Sequence, residues 1–201
     1  MTHLSRWLAA VGMIAGAALF GLSWLPVKTE VQRVILNPQT LNLPADLIAL
    51  LDGRELVVET PEWLWRGGQS EICLQTNIGA ETQALNLILE ANLVMTGARS
   101  LPGGVLATPV QGADWKDLSW QISDEEMESG AVSGTMWVHV TFVRPAEQQK
   151  TRTAVLAKPL DIPVRSMIPG LAVGPQRWIG VGIFLIAGSS RLSFGRRHRG
   201  R

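Results

Sequence analysis

The sequence predicts a mainly β protein: an antiparallel β-sandwich flanked by N- and C-terminal transmembrane helices. Three observations carry that expectation. Trp7 to Leu25 runs for 19 residues without a charge, and Trp178 to Ser190 is a second uncharged run, of 13 residues. Between them lie short apolar runs broken by Pro and Gly, with little helical periodicity. The 201 residues are therefore expected to divide into an N-terminal transmembrane helix over 1–26, a β-domain over 27–166, a C-terminal helix over 167–194 and a basic tail over 195–201.

The first run would rise ~28 Å as a helix, close to the ~30 Å hydrocarbon core of a bilayer. Trp7 and Trp24 stand at its ends, where indole rings favour the membrane interface. Pro26 stops the helix. The competing reading is a cleaved signal peptide, with Arg6 as its basic start and Gly21 and Ser23 as small residues at a cleavage site. Against it, the run exceeds the ~7–15 apolar residues of a signal sequence. Gly12 and Gly16 form a GxxxG spacing that would let a second helix approach closely, from this chain or another copy.

The second run is short, ~20 Å, but snorkelling of Arg191 would extend it to Phe194. Trp178 would mark its outer interface. The alternative is an interfacial or buried helix; the absence of a polar face favours the span. Arg191, Arg196, Arg197, Arg199 and Arg201 would then lie in the cytoplasm by the positive-inside rule. A nucleic-acid role for this tail is the other reading, and a basic anchor near anionic lipid is the simpler one. The expected topology is a two-pass plasma-membrane protein with both termini cytoplasmic and the β-domain outside.

The β elements follow in order. Val27 to Arg33 alternates after Pro26 and reads as a strand. Leu47 to Leu51 is open between helical turn and strand. Asp52-Gly53 signals a hairpin, followed by a strand over Leu56 to Thr60. Pro61 breaks that strand, and Gly67-Gly68 turns the chain before Ser70 to Thr76. Leu85 to Leu89 and Asn92 to Thr96 form one long or two short strands. Pro102-Gly103-Gly104 is a turn. Leu118, Trp120 and Ile122 share one face, as do Met136, Val138, Val140 and Phe142. Leu160, Ile162 and Val164 close the domain, and Pro159 and Pro163 mark an edge strand.

Three of these stretches carry a family likeness: LVVETPEWLWRGGQSEICLQT, the central SWQI and the late GAVSGTMWVHVTFV. With them the chain resembles bacterial immunoglobulin-like domains over about half of the β-domain. The resemblance implies an immunoglobulin-like sandwich and brings no catalytic residues. It departs from antibody-type domains in lacking paired cysteines, since Cys73 is the one cysteine. No Asn-X-Ser/Thr sequon occurs either, and both facts favour a prokaryotic envelope protein over an animal cell-surface one.

A net charge of +1 gives no bulk field towards nucleic acid. His139 is the lone histidine of the β-domain, alternating outward with Trp137 and Thr141, which leaves no partner for a hydrolytic triad or imidazole metal site. Asp124, Glu125, Glu126 and Glu128 lack the spacing of a calcium loop. Neither of the glycine-rich phosphate-loop patterns, GxxxxGK and GxGxxG, occurs. No metal and no cofactor is therefore expected. Cys73, between Ile72 and Leu74, reads as a buried inert thiol. Trp63, Trp65, Trp137 and His139 are the candidate interaction surface.

The functional expectation is a non-catalytic binding or scaffolding module, an accessory part of an envelope complex, with a lipid bilayer and a protein as partners and no nucleic acid. An envelope hydrolase using paired carboxylates and an oligomeric transport component are the alternatives.

Overall fold

A computed structural model describes residues 2–37, 48–49, 51–78, 86–110, 115–124, 130–144 and 149–197. Alternation dictates its longest strands. In β9 (Ala131–Arg144) the residues Met136, Val138, Val140 and Phe142 point one way and are buried. β5 (Asn86–Thr96) and β10 (Gln149–Arg165) flank it antiparallel, with Leu89 opposite Val140 and Leu160 opposite Gly134. The outer members of this sheet are β7 (Val105–Val110), beside β5, and the two-residue β3 (Leu64–Trp65), beside β10.

The second sheet orders β1 (Thr29–Ile35), β2 (Glu55–Pro61), β4 (Gln69–Thr76), β8 (Lys116–Asp124) and β6 (Ala98–Leu101). Leu56, Val58, Ile72, Leu74, Leu118, Trp120 and Ile122 of this sheet join the inner residues of the first in one buried apolar cluster. Two antiparallel sheets sharing one core make a β-sandwich, an arrangement consistent with an immunoglobulin-like β fold.

Several expectations change. Asp52-Gly53 does not turn a hairpin. Asp52 N–H donates to Ile48 O, so these residues end a helical turn, with Gly53 at φ 69° after it. A left-handed glycine closes a helix end as readily as it turns a hairpin. β2 instead pairs with β1, Thr29 opposite Pro61. β6 and β7, unforeseen, flank a turn that holds a cis Leu101-Pro102 peptide bond. They carry few buried side chains, so their alternation is faint. β10 has β9 on one side and, on the other, only the two-residue β3.

The larger correction concerns the helices. α1 (Thr2–Leu22) stops at Leu22, after which Trp24 and Leu25 N–H groups donate to Gly21 O and Leu22 O as turns. Its uncharged part is then the 16 residues Trp7–Leu22, ~24 Å of rise against a ~30 Å core. α2 (Val173–Arg197) is longer, but Arg177 and Arg191 confine its uncharged run to 13 residues, ~20 Å. Among the described residues no helix is long and apolar enough to cross a membrane. The flanking transmembrane helices, the two-pass topology and the outside placement of the β-domain that followed from it are therefore not supported.

The chain separates into two compact units. One holds both helices with Trp65–Gly68 (residues 1–26, 65–68 and 165–201); the other holds residues 27–64 and 69–164. In the helical unit, Ala9 and Gly16 are buried on α1 with Ser23 just past its end, and Val173, Gly180 and Ala187 are buried on α2. The seven-residue spacing puts each trio on one stripe, and the stripes pack together. Arg177 ties the end of α1: its guanidinium donates to Ser23 O at 2.9 Å and stacks 4.1 Å over Trp24. A cation at a helix C-terminus meets the carbonyls left without helical partners.

Candidate functional site

The most structured surface is the outer face of the β7–β5–β9–β10 sheet. Strand register lays its residues out in rows. One row runs Val105, Asn92, Trp137, Ala157, and the next Ala107, Glu90, His139, Ala154. A third holds Pro109, Ile88, Thr141 and Arg152. Glu90 binds across these rows. Arg152 Nε donates to Glu90 Oε2 at 2.7 Å, and Thr141 Oγ1 donates to Glu90 Oε1 at 2.9 Å. Both carboxylate oxygens are thus held from below and beside, with Thr141 buried under the pair.

These contacts set the charge states. Burial pushes the Glu90 carboxyl up, but the Thr141 hydroxyl and the Arg152 guanidinium outweigh it and hold the group below its ordinary value. Burial and the Arg152 charge push His139 below its ordinary value, against the pull of Glu90. His139 is half-buried rather than solvated, and its Nδ1 is shielded without a hydrogen-bond partner among the described residues. Trp137 in the neighbouring row is 42% exposed, beside exposed Val94 and Val105. A rigid aromatic ring, two apolar rims and a fixed ion pair share one sheet face. Pattern reasoning found Trp137 and His139 by alternation; it missed Glu90 and Arg152, because no sequence spacing shows two strands pairing with a third.

Trp63 and Trp65 flank Leu64 at β3; both rings are half-buried and their Nε1 atoms are shielded from solvent, so neither offers an open platform. Trp7, Trp24 and Trp178 are strongly exposed. Arg191, Arg196 and Arg197 lie in α2, while Arg199 and Arg201 are outside the described residues. Gly12 faces Ala187, and Gly16 faces Gly180 and Phe184. Asp124 ends β8; Glu125, Glu126 and Glu128 lie outside the described residues. Among the described residues no three His, Cys, Asp or Glu side chains converge as metal ligands.

The other sheet carries a thiol and a concavity on its outer face. Cys73 is half-buried on the outer face, opposite Glu59 and Ser119. Burial, with Asp117, Glu59 and Glu71 adding negative charge, pushes its thiol up to about 11. Burial first, and the nearby acids after it, make it inert. Gln69, Glu71, Ser119 and Gln121 line an open concavity of about 560 Å³ beside Pro102. Gln121 Nε2 donates to Gln69 Oε1 at 3.2 Å within it.

No family model and no curated protein matches the chain. Solved structures do. An ASH/PapD-like domain of a human protein is similar at a TM-score of 0.35 and 12% identity, covering 53% of this chain and 79% of that one. A FixG-related protein from Vibrio parahaemolyticus is similar at 0.25 and 12% identity, covering 71% of this chain and 99% of that one. A β-glucosidase from Listeria innocua is similar at 0.31 and 10% identity; the match spans 71% of this chain and only 16% of the enzyme.

Proposed function

We propose that the chain is a non-catalytic binding or scaffolding module, an accessory component of a larger complex, that takes a protein partner on the outer face of the β7–β5–β9–β10 sheet. The observation behind it is Trp137, exposed beside an ion pair whose acid is already held at both oxygens. Aromatic and arginine side chains are enriched at the centres of protein interfaces, where they carry most of the affinity. Groups locked before binding lose little freedom on contact. A sheet with both neighbours in register is such a platform.

The test is purification of the tagged full-length chain from its own host under gentle conditions. A stoichiometric partner should accompany the wild type. Trp137→Ala should lower its retention by about tenfold or more, the usual effect of removing a central aromatic anchor. Retention unchanged in both Trp137→Ala and Arg152→Ala chains, or a lone monomer, would discard this surface.

A further inference from the structure

The helical unit exposes far more apolar surface than its packing requires. Small residues fill the seam between α1 and α2, so the large side chains point outward. Trp7 and Ile14 on α1, Trp24 in the turn after it, and Trp178, Leu185 and Ile186 on α2, are all more than half exposed, Ile14 at 70% and Ile186 at 72%. A contiguous apolar patch of this kind marks a surface that something covers.

Charge says what kind of surface. The helical unit contains nine arginines and no Asp or Glu. All seventeen acids of the chain belong to the other unit, against nine Lys and Arg there. Net charge thus separates into +9 and −8 within a chain that sums to +1. Five of those arginines fall in the last eleven residues. We infer that the helical unit docks against an anionic lipid surface, its side chains entering the acyl boundary and its arginines meeting phosphate headgroups.

Three features favour lipid over a protein groove. Exposed apolar side chains lie along both helices, Trp7, Leu8, Val11 and Ile14 on α1 and Trp178, Leu185 and Ile186 on α2, with no acid among them. Trp7 lies at one end of the apolar surface and Trp24 with Trp178 at the other, the depth at which indoles settle in a bilayer boundary. Anionic leaflets attract clustered Arg without base or sequence recognition. Docking of this kind asks neither helix to cross.

The experiment dilutes the full-length chain from mild detergent into preformed vesicles and floats them through a density gradient. One vesicle set is phosphatidylcholine; the other mixes in phosphatidylglycerol. The wild type should float with the mixed vesicles. An Ile14→Asp and Leu185→Asp double variant should float about tenfold less, since each carboxylate resists leaving water. Both sites are exposed, and an unchanged near-ultraviolet spectrum, to which buried Trp120 contributes, confirms that the fold is retained. Replacing Arg196, Arg197, Arg199 and Arg201 by Ser should weaken binding to the mixed vesicles alone. A wild type that stays in the dense fraction with both sets overturns the inference. So does a double variant that floats like the wild type, or a discrete oligomer that hides the surface without lipid.

Discussion

Gly16 and Gly180 meet backbone to backbone. A Cβ built on Gly16 would stand 2.7 Å from Gly180 O, and one built on Gly180 would stand 2.9 Å from Gly16 O. Carbonyl oxygens on helices cannot swing aside as side chains do, so each glycine holds its position for the other.

Gly16→Leu should therefore part the helices. The seam can be read by disulfide formation between Gly12→Cys and Ala187→Cys in a Cys73→Ser background, since the Cβ positions lie 3.2 Å apart. Cross-linking should be efficient in that parent chain and should fall by about tenfold once Gly16 is enlarged. Equal cross-linking in both would show that α1 and α2 are not held through this contact.

Gly134 presents the same situation in β9. A Cβ there would press on the backbone oxygen of Val94 and on the Met95 sulfur. The thioether can rotate away; the strand oxygen cannot. Gly134→Ala should cost about 1–3 kcal/mol in urea unfolding, the usual penalty for overpacking. A cost below ~0.5 kcal/mol would mean that β5 and β9 shift apart freely there.

Acid should weaken the sandwich in two steps. His139 is held below its ordinary 6.5, so its contribution is complete above that pH and is lost as pH falls through 6.5 towards the folded value. Glu90 is held below its ordinary 4.5, so its contribution stands above 4.5 and is lost beneath it. Both groups push the same way. Tm should fall between pH 7 and pH 5, with a shallower slope in His139→Gln, and Glu90→Gln should flatten the profile below 4.5. A His139→Gln profile that superimposes on the wild type would remove the first step.

Cys73 should resist alkylation in the folded chain. With its thiol near 11 instead of 9.0, the thiolate at pH 8 is about a hundredfold scarcer. The more basic thiolate is about tenfold the better nucleophile, so the net rate should drop about tenfold relative to the urea-unfolded chain. Equal iodoacetamide rates in the two states would show that neither burial nor the charges of Asp117, Glu59 and Glu71 raise it.

How much of this was legible in the sequence depends on the range of the physics involved. Alternation over Thr135 to Val143 located the centre of β9 and the direction of Trp137 and His139, because a strand sets its own side-chain period. Gly67-Gly68 was read as a turn, and Gly67 sits at φ 65° there. Asp52-Gly53 misled, because a left-handed glycine serves a helical turn as well as a hairpin. The GxxxG stripe on α1 was visible; that Gly180 and Ala187 face it was not.

What the sequence determined alone is local: strand alternation, a small-residue stripe, and the gathering of every acid away from the two helical segments. Tertiary structure decided the rest. Glu90, Thr141 and Arg152 lie up to 62 residues apart and meet only because β5 and β10 both pair with β9. α1 ends at Leu22, short of its apolar run, where turn hydrogen bonds and the Arg177 contact close its last carbonyls. Side-chain periodicity is written residue by residue, whereas pairing and helix length depend on hydrogen bonds whose second partner lies elsewhere in the chain.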